Sequence, residues 1–175
     1  DLTPNRIDGA SHLGVARDLV AYLRQTENVM LKKPSVAHFK KDNDQLKVAV
    51  EIRNMEACFR YSGLAMTHVQ VAPSPEWLKN RLKAVGLKPI NNLVDISNYV
   101  LLETGQPLHF FDADKISRNK VIVQKLSKGN SFVTLDGEEI KLADDDLMIC
   151  DTEKPMCIAG VIGGINSGVS ENTKN

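Results

Sequence analysis

The amino-acid pattern predicts an α+β fold in which mixed or antiparallel sheets carry a few packed helices. Three observations lead there. Apolar residues recur at helical spacing only in short stretches before Gly105. After it come short apolar, partly β-branched runs: Val121-Ile122-Val123, Phe132-Val133-Thr134-Leu135, Leu147-Met148-Ile149-Cys150 and Ile158 to Ile162. After Leu135 stands Asp136-Gly137, a strong hairpin signal, because two-residue turns need positive φ and these residues tolerate it. No internal repeat is present.

Taken in order, Thr3-Pro4-Asn5-Arg6 reads as extended or turn-like, since proline restricts itself and its predecessor. Asp8 or Ser11 can cap a first helix whose apolar stripe is Leu13, Ala16, Leu19, Val20 and Leu23. Periodicity then dissolves around Lys32, Lys33, Pro34, Lys40 and Lys41. The expected organisation is therefore a helical segment over 1–27, a linker over 28–44 and a domain over 45–175. Lys47 to Glu51 and Tyr61 to Val71 read as strands. Ser74-Pro75-Glu76-Trp77 opens a helix, with Ser as cap, Pro at the first position and Glu in the first turn. Trp77, Leu78, Leu82 and Val85 are its expected buried face, and Gly86 its end. A further helix is expected from about Asp95 to Glu103, stopped by Gly105.

Composition sets the outer limits. A chain of 175 residues that is 42% hydrophobic and 25% charged is long enough for a real core and unlike a disordered or collagen-like one. Lys+Arg and Asp+Glu number 22 each, so the net charge is zero. That excludes gripping nucleic acid by bulk charge; any such contact has to be local or shared with another chain. No apolar run approaches the roughly 20 residues of a spanning helix, and the start lacks a basic-then-apolar signal segment. A cytoplasmic protein with no membrane contact is expected. Cys58, Cys150 and Cys157 have no metal-knuckle spacing and read as reduced, partly buried thiols. A start without Met and a stop at Glu171-Asn172-Thr173-Lys174-Asn175 read as a piece of a longer chain.

The densest group of candidate functional residues runs from Lys88 through Asn91, Asn92, Asp95 and Asn98 to Glu103, His109 and Asp112. Polar groups in an apolar context cost about 1–3 kcal/mol each if unpaired, so they need a reason. Singly, Asn91, Asn92 and Asp95 fit helix caps and loop bridges; as a cluster ending in His109 they fit a binding site. A neutral His109 offers one donor and one acceptor, enough to orient a water or bond an ester. The other reading is a core-edge histidine bonded to a carbonyl. His109 and Asp112 lack further metal-ligand company, and His12, His38 and His68 read as surface residues. Gly160 to Gly168 is a glycine-rich loop with neither a P-loop ending nor the dinucleotide fingerprint. It is either a close-approach site for a ligand or a plain tight turn. Lys79, Arg81, Lys83 and Lys88 form a basic set that either touches phosphate or is simply solvated.

Several motifs in series resemble a known family. They are Asp1-Leu2-Thr3-Pro4-Asn5-Arg6, Gly14-Val15-Ala16-Arg17-Asp18, Ser74-Pro75-Glu76-Trp77-Leu78, Asn91-Asn92-Leu93-Val94-Asp95, Gly105-Gln106-Pro107-Leu108-His109 and Ala159-Gly160-Val161-Ile162-Gly163-Gly164. In this order they resemble the bacterial phenylalanyl-tRNA synthetase β-subunit family, with about 45 to 175 covering most of its B3/B4 domain. The resemblance implies a B3/B4-like fold and an editing site that hydrolyses tyrosine mischarged onto tRNA(Phe). It also implies an α subunit partner in an α2β2 heterotetramer. ATP and Mg²⁺ would act in the whole synthetase, with no cofactor in this domain. Residue by residue, His109 matches the pocket histidine that positions water or the ribose end, and Gly163 a pocket glycine leaving room for the tyrosine ring. Lys88 stands where an Arg near the tRNA terminus is usual, and Asn91 and Asn92 match residues around the pocket. The glutamate that would recognise the tyrosine hydroxyl lies beyond residue 175. The alternative within the same resemblance is a non-catalytic scaffold or tRNA-contacting module.

Overall fold

A computed structural model describes residues 2–175 and divides the chain into two units. One is Asp1–Asp42 with Ala72–Leu108; the other is Asn43–Val71 with His109–Asn175.

The first unit is helical. Helix α1, His12–Leu23, starts at Ser11, whose hydroxyl oxygen accepts from the Gly14 amide at 3.0 Å. Its lead-in is held by ion pairs from Arg6 to Asp8 and Asp18 and from Arg17 to Asp8. Helix α2, Glu76–Ala84, buries Leu78 and Leu82, which stand one turn apart. Trp77 and Val85, expected on that face, are instead 56% and 48% exposed. Two inward residues at i and i+4 already fill a stripe this short, and Trp77 falls about a quarter-turn off it. Ser74 is not the cap either. Pro75 stands at the helix border with no side-chain bond, while the buried Ser74 hydroxyl donates to Asp95 at 2.5 Å.

Helix α3, Asn92–Thr104, begins earlier than the expected Asp95 because Asn91 is its cap. The Asn91 side-chain oxygen accepts from the amides of Leu93 and Val94 at 3.1 and 3.0 Å. Gly105, at φ 78°, closes the helix in the left-handed conformation that a side chain would disfavour. Asp95 in the first turn is fully buried and also accepts from the Ile90 amide at 2.8 Å. One carboxylate thus ties the entry of α2 to the entry of α3.

The second unit is a five-stranded mixed sheet. Strands β1 (Ala49–Ile52), β2 (Lys120–Lys125), β5 (Leu147–Cys150), β6 (Pro155–Ile158) and β7 (Ile162–Gly163) lie in the order β1-β2-β5-β6-β7. The β1–β2 pair is parallel and the others antiparallel. Strands β3 (Ser131–Val133) and β4 (Glu139–Lys141) form a separate antiparallel pair around the predicted Asp136-Gly137 turn, with Gly137 at φ 87°. This α+β arrangement agrees with the fold class predicted from sequence. Alternate residues of the central strands feed two buried clusters: Val121, Ile149 and Cys157 with Ile116 and Met156, and Ile122, Met148 and Cys150 with Phe132 and Leu142. Side chains alternate along a strand, so the sheet is buried on both faces.

Two strand expectations change. Tyr61 to Val71 forms no strand; its Val69 amide bonds the Lys174 carbonyl at 2.8 Å, and Leu64 and Met66 stay exposed. Strand propensity needs a neighbouring strand to express itself, and only Tyr61 of this stretch packs on the core. The run Ile158 to Ile162 is a tight hairpin rather than one strand, turning at Ala159-Gly160 with Gly160 at φ 72° and Val161 bonded back to Ile158 at 3.0 Å. The three cysteines carry free thiols; Cys150 and Cys157 are buried and Cys58 half-buried.

Candidate functional site

The glycine-rich loop is pinned by main-chain bonds. Leu135 donates to the Gly163 carbonyl at 2.9 Å, Gly164 to Met156 at 2.8 Å and Ile165 to Val133 at 3.2 Å. Its far end meets the stretch after His109: Phe111 bridges Gly168, and the Asp112 amide donates to the Ser167 carbonyl at 3.1 Å. The buried Ser167 hydroxyl donates to the Met156 carbonyl, and Lys115 to the Gly168 carbonyl, both at 2.8 Å. Loop and histidine segment are therefore fixed to each other along their length.

Gly163 is where this fixation brings a side chain hard against the loop. A β-carbon on Gly163 would stand 2.4 Å from His109 Cε1, 2.8 Å from Nε2 and 3.0 Å from Leu135 Cδ1. The imidazole occupies the space that any side chain would take. The next glycine serves a second ring: a β-carbon at Gly164 would come within 2.9 Å of Phe132 Cε2. Neighbouring residues of a strand face opposite ways, so the Gly163-Gly164 pair lets a ring close in from each side. Phe111 fixes the imidazole from another direction, centroid to centroid 4.5 Å at 60°.

His109 has no hydrogen bond to either ring nitrogen among the described residues. Burial of the ring pushes its pKa below the ordinary 6.5, because the cation loses hydration with no carboxylate to replace it. The imidazole is thus neutral at pH 7, with one donor and one acceptor unengaged. The other polar residues nearby are committed. Asp112 is buried, with its carboxylate accepting from the Asp114 amide at 3.2 Å and from the buried Thr173 hydroxyl at 2.8 Å. It holds the end of the chain in place and is not aimed at a ligand. Among the described residues no three His, Cys, Asp or Glu converge as a metal would need.

The structure brings His109 and Gly163 into contact within the second unit. Lys88, Asn91 and Asn92 belong to the first. Lys88 is exposed; Asn91 caps α3, and the Asn92 carboxamide oxygen accepts from the Ala72 amide at 3.2 Å. Leu135 and Phe111 are wall residues that sequence reasoning missed. Leu135 sat inside an apolar run read simply as strand and Phe111 between the candidates His109 and Asp112, and nothing in a periodicity marks the residue that turns toward a histidine. An open depression of about 200 Å³ lies on the Gly164 side, lined by Phe132, Lys154, Gly164 and Asn166 among others, and contains neither His109 nor Gly163.

Comparison with known proteins gives the context. The family model described as "B3/4 domain" matches residues 57–175. The phenylalanine–tRNA ligase β subunit of Bacteroides fragilis is 54% identical over 99% of this chain and 21% of its own length. Its counterpart in Porphyromonas gingivalis is 53% identical over the same shares, and that of Carboxydothermus hydrogenoformans 46%. The chain spans about a fifth of the length of these curated relatives.

Proposed function

This chain belongs to the B3/4 domain family, and from that premise we propose that it is the editing section of a phenylalanine–tRNA ligase β subunit. It hydrolyses the ester of tyrosine wrongly attached to tRNA(Phe), and so supports accurate aminoacylation in protein synthesis. The observation that carries this reading is the neutral, unengaged imidazole of His109 lying against Gly163 beside Leu135. A pocket for phenylalanine rejects an added hydroxyl only about 10²-fold, so a second site that cuts the wrong ester has a physical purpose.

A water held by one imidazole nitrogen attacks the ester carbonyl carbon and passes its proton to the ring. The bond from that carbon to the ribose oxygen then breaks, and the imidazolium returns the proton to the departing oxygen. The products are free tyrosine and tRNA with its hydroxyl restored. The Gly164 and Ile165 amides are already bonded to Met156 and Val133, so the loop contributes rigidity rather than those donors. Lys88 is an exposed cation suited to a tRNA phosphate; Asn91 and Asn92 act by fixing the start of α3.

The proposed partners are tRNA(Phe) and the α subunit in an α2β2 assembly in the cytoplasm. We assign the ATP and Mg²⁺ chemistry to the rest of the ligase. In the assembled ligase, His109→Ala is expected to lower hydrolysis of Tyr-tRNA(Phe) by about 10²-fold or more, with phenylalanine charging unchanged. Undiminished hydrolysis overturns the assignment and leaves the scaffold or tRNA-contacting reading. The working form is the neutral ring, so the wild-type rate holds at pH 7. It declines only as pH falls below the ordinary histidine value of 6.5.

A further inference from the structure

We propose that Phe111 is the positioning residue of His109, its core-anchored ring holding the imidazole in place of a polar orienter. The inference rests on the reading above, that His109 is the working group. A histidine that moves protons is ordinarily steered by an acceptor on one ring nitrogen, which fixes its orientation and tautomer. His109 has no such acceptor among the described residues. The acids of the segments packed around it are engaged elsewhere. Asp112, next to Phe111, accepts from the Thr173 hydroxyl, and Asp136, next to Leu135, from the Thr134 hydroxyl. Burial alone, and no charged neighbour, sets the proton affinity of the ring.

Phe111 supplies the constraint instead. It stands two residues after His109, a spacing that puts side chains on one face of an extended stretch. Its ring meets the imidazole at 4.5 Å and 60°, an inclined geometry that attracts as well as blocks. Phe111 is itself fixed twice. Its main chain bridges Gly168, and its side chain packs on the cluster of Ile116, Val121, Ile149, Met156 and Cys157. Gly163 closes a further side of the imidazole, with no room between them for a β-carbon. The ring is thus held by packing, and neither nitrogen is spent on holding it. A carboxylate in the place of Phe111 would favour the imidazolium. A phenyl ring adds no formal charge, so the neutral form that accepts a proton from water is kept.

The test uses Phe111→Leu and Phe111→Met, which keep the core apolar but remove the flat ring. Ile116→Val, which trims the same cluster by one methyl, is the control for a merely structural effect. The carbon-bound imidazole protons of the 175-residue chain are followed by NMR against pH. Single-turnover hydrolysis of Tyr-tRNA(Phe) by the assembled ligase is followed over the same range. Both Phe111 variants should lose the ring-current shift of the His109 protons and raise their titration midpoint toward the ordinary 6.5. In the ligase they should lower the maximal rate by about 10-fold to 10²-fold, with half-saturation unchanged within about twofold. The acid limb of the rate should move up with the midpoint. Ile116→Val should leave the resonances and the acid limb where they were. Equal effects of Ile116→Val and the Phe111 variants make Phe111 a core residue only and overturn the proposal. Wild-type rates in both Phe111 variants, with His109→Ala impaired, also overturn it. Undiminished hydrolysis by His109→Ala instead refutes the editing reading, and the His109 resonances then decide by themselves whether Phe111 holds the ring.

Discussion

Gly163 and His109 are packed against each other, and the glycine is the half with no room for a side chain unless the imidazole moves. Gly163→Ala places a methyl 2.4 Å from the imidazole Cε1, and Phe111 blocks the ring's retreat on one side. A displacement of about 1 Å at a reacting group costs about 10²-fold in rate. Single-turnover hydrolysis of Tyr-tRNA(Phe) by the assembled ligase should therefore fall by that order in Gly163→Ala, while phenylalanine charging persists. Retained hydrolysis would mean that the histidine does not work from this position. Asp95 makes the contrasting case, a buried polar residue whose task is structural. Asp95→Ala leaves the Ser74 hydroxyl and the Ile90 amide without their acceptor, about 1–3 kcal/mol for each orphaned group. A lowered urea midpoint with an unchanged slope is the expected outcome.

Individual elements show where sequence speaks clearly and where it does not. Caps are local chemistry, so Ser11 before α1 and Gly105 after α3 were legible. Asn91 was legible as one of several cap candidates, and its function at α3 is testable by stability alone. Asn91→Ala should cost about 1 kcal/mol, lowering the melting midpoint by about 2–4 °C, and Asn91→Asp should restore most of it by supplying the same acceptor. No recovery with Asp would shift weight toward a binding function for the carboxamide. The misread elements share one cause, a dependence on partners distant in the chain. Ser74 looked like a cap, but a carboxylate in another helix claimed its hydroxyl. Tyr61 to Val71 had strand-like residues and no strand beside it. Ile158 to Ile162 was uniformly apolar, and the turn within it depends on one glycine dihedral.

At the scale of the whole molecule, a net charge of zero conceals a division. Eleven basic against eight acidic residues in one unit are balanced by eleven against fourteen in the other. A summed charge could not reveal that division, and the candidate site was hidden in a similar way. His109 and Gly163 are brought together by the fold, and no spacing rule links them; only the serial motif resemblance named both. The units are also interleaved in sequence, each built from two separate stretches. Strand β1 shows what that means for a growing chain. It pairs parallel with β2, and everything from Arg53 to Asn119, including α2 and α3, is synthesised in between. At about 5–20 residues per second, β1 leaves the ribosome several seconds before its partner exists. Throughout that interval the nascent polypeptide carries an unpaired strand edge. A translational pause between the emergence of β1 and that of β2 prolongs this exposure, so the stretch whose translation separates the two is the one where slow codons favour off-pathway strand pairing.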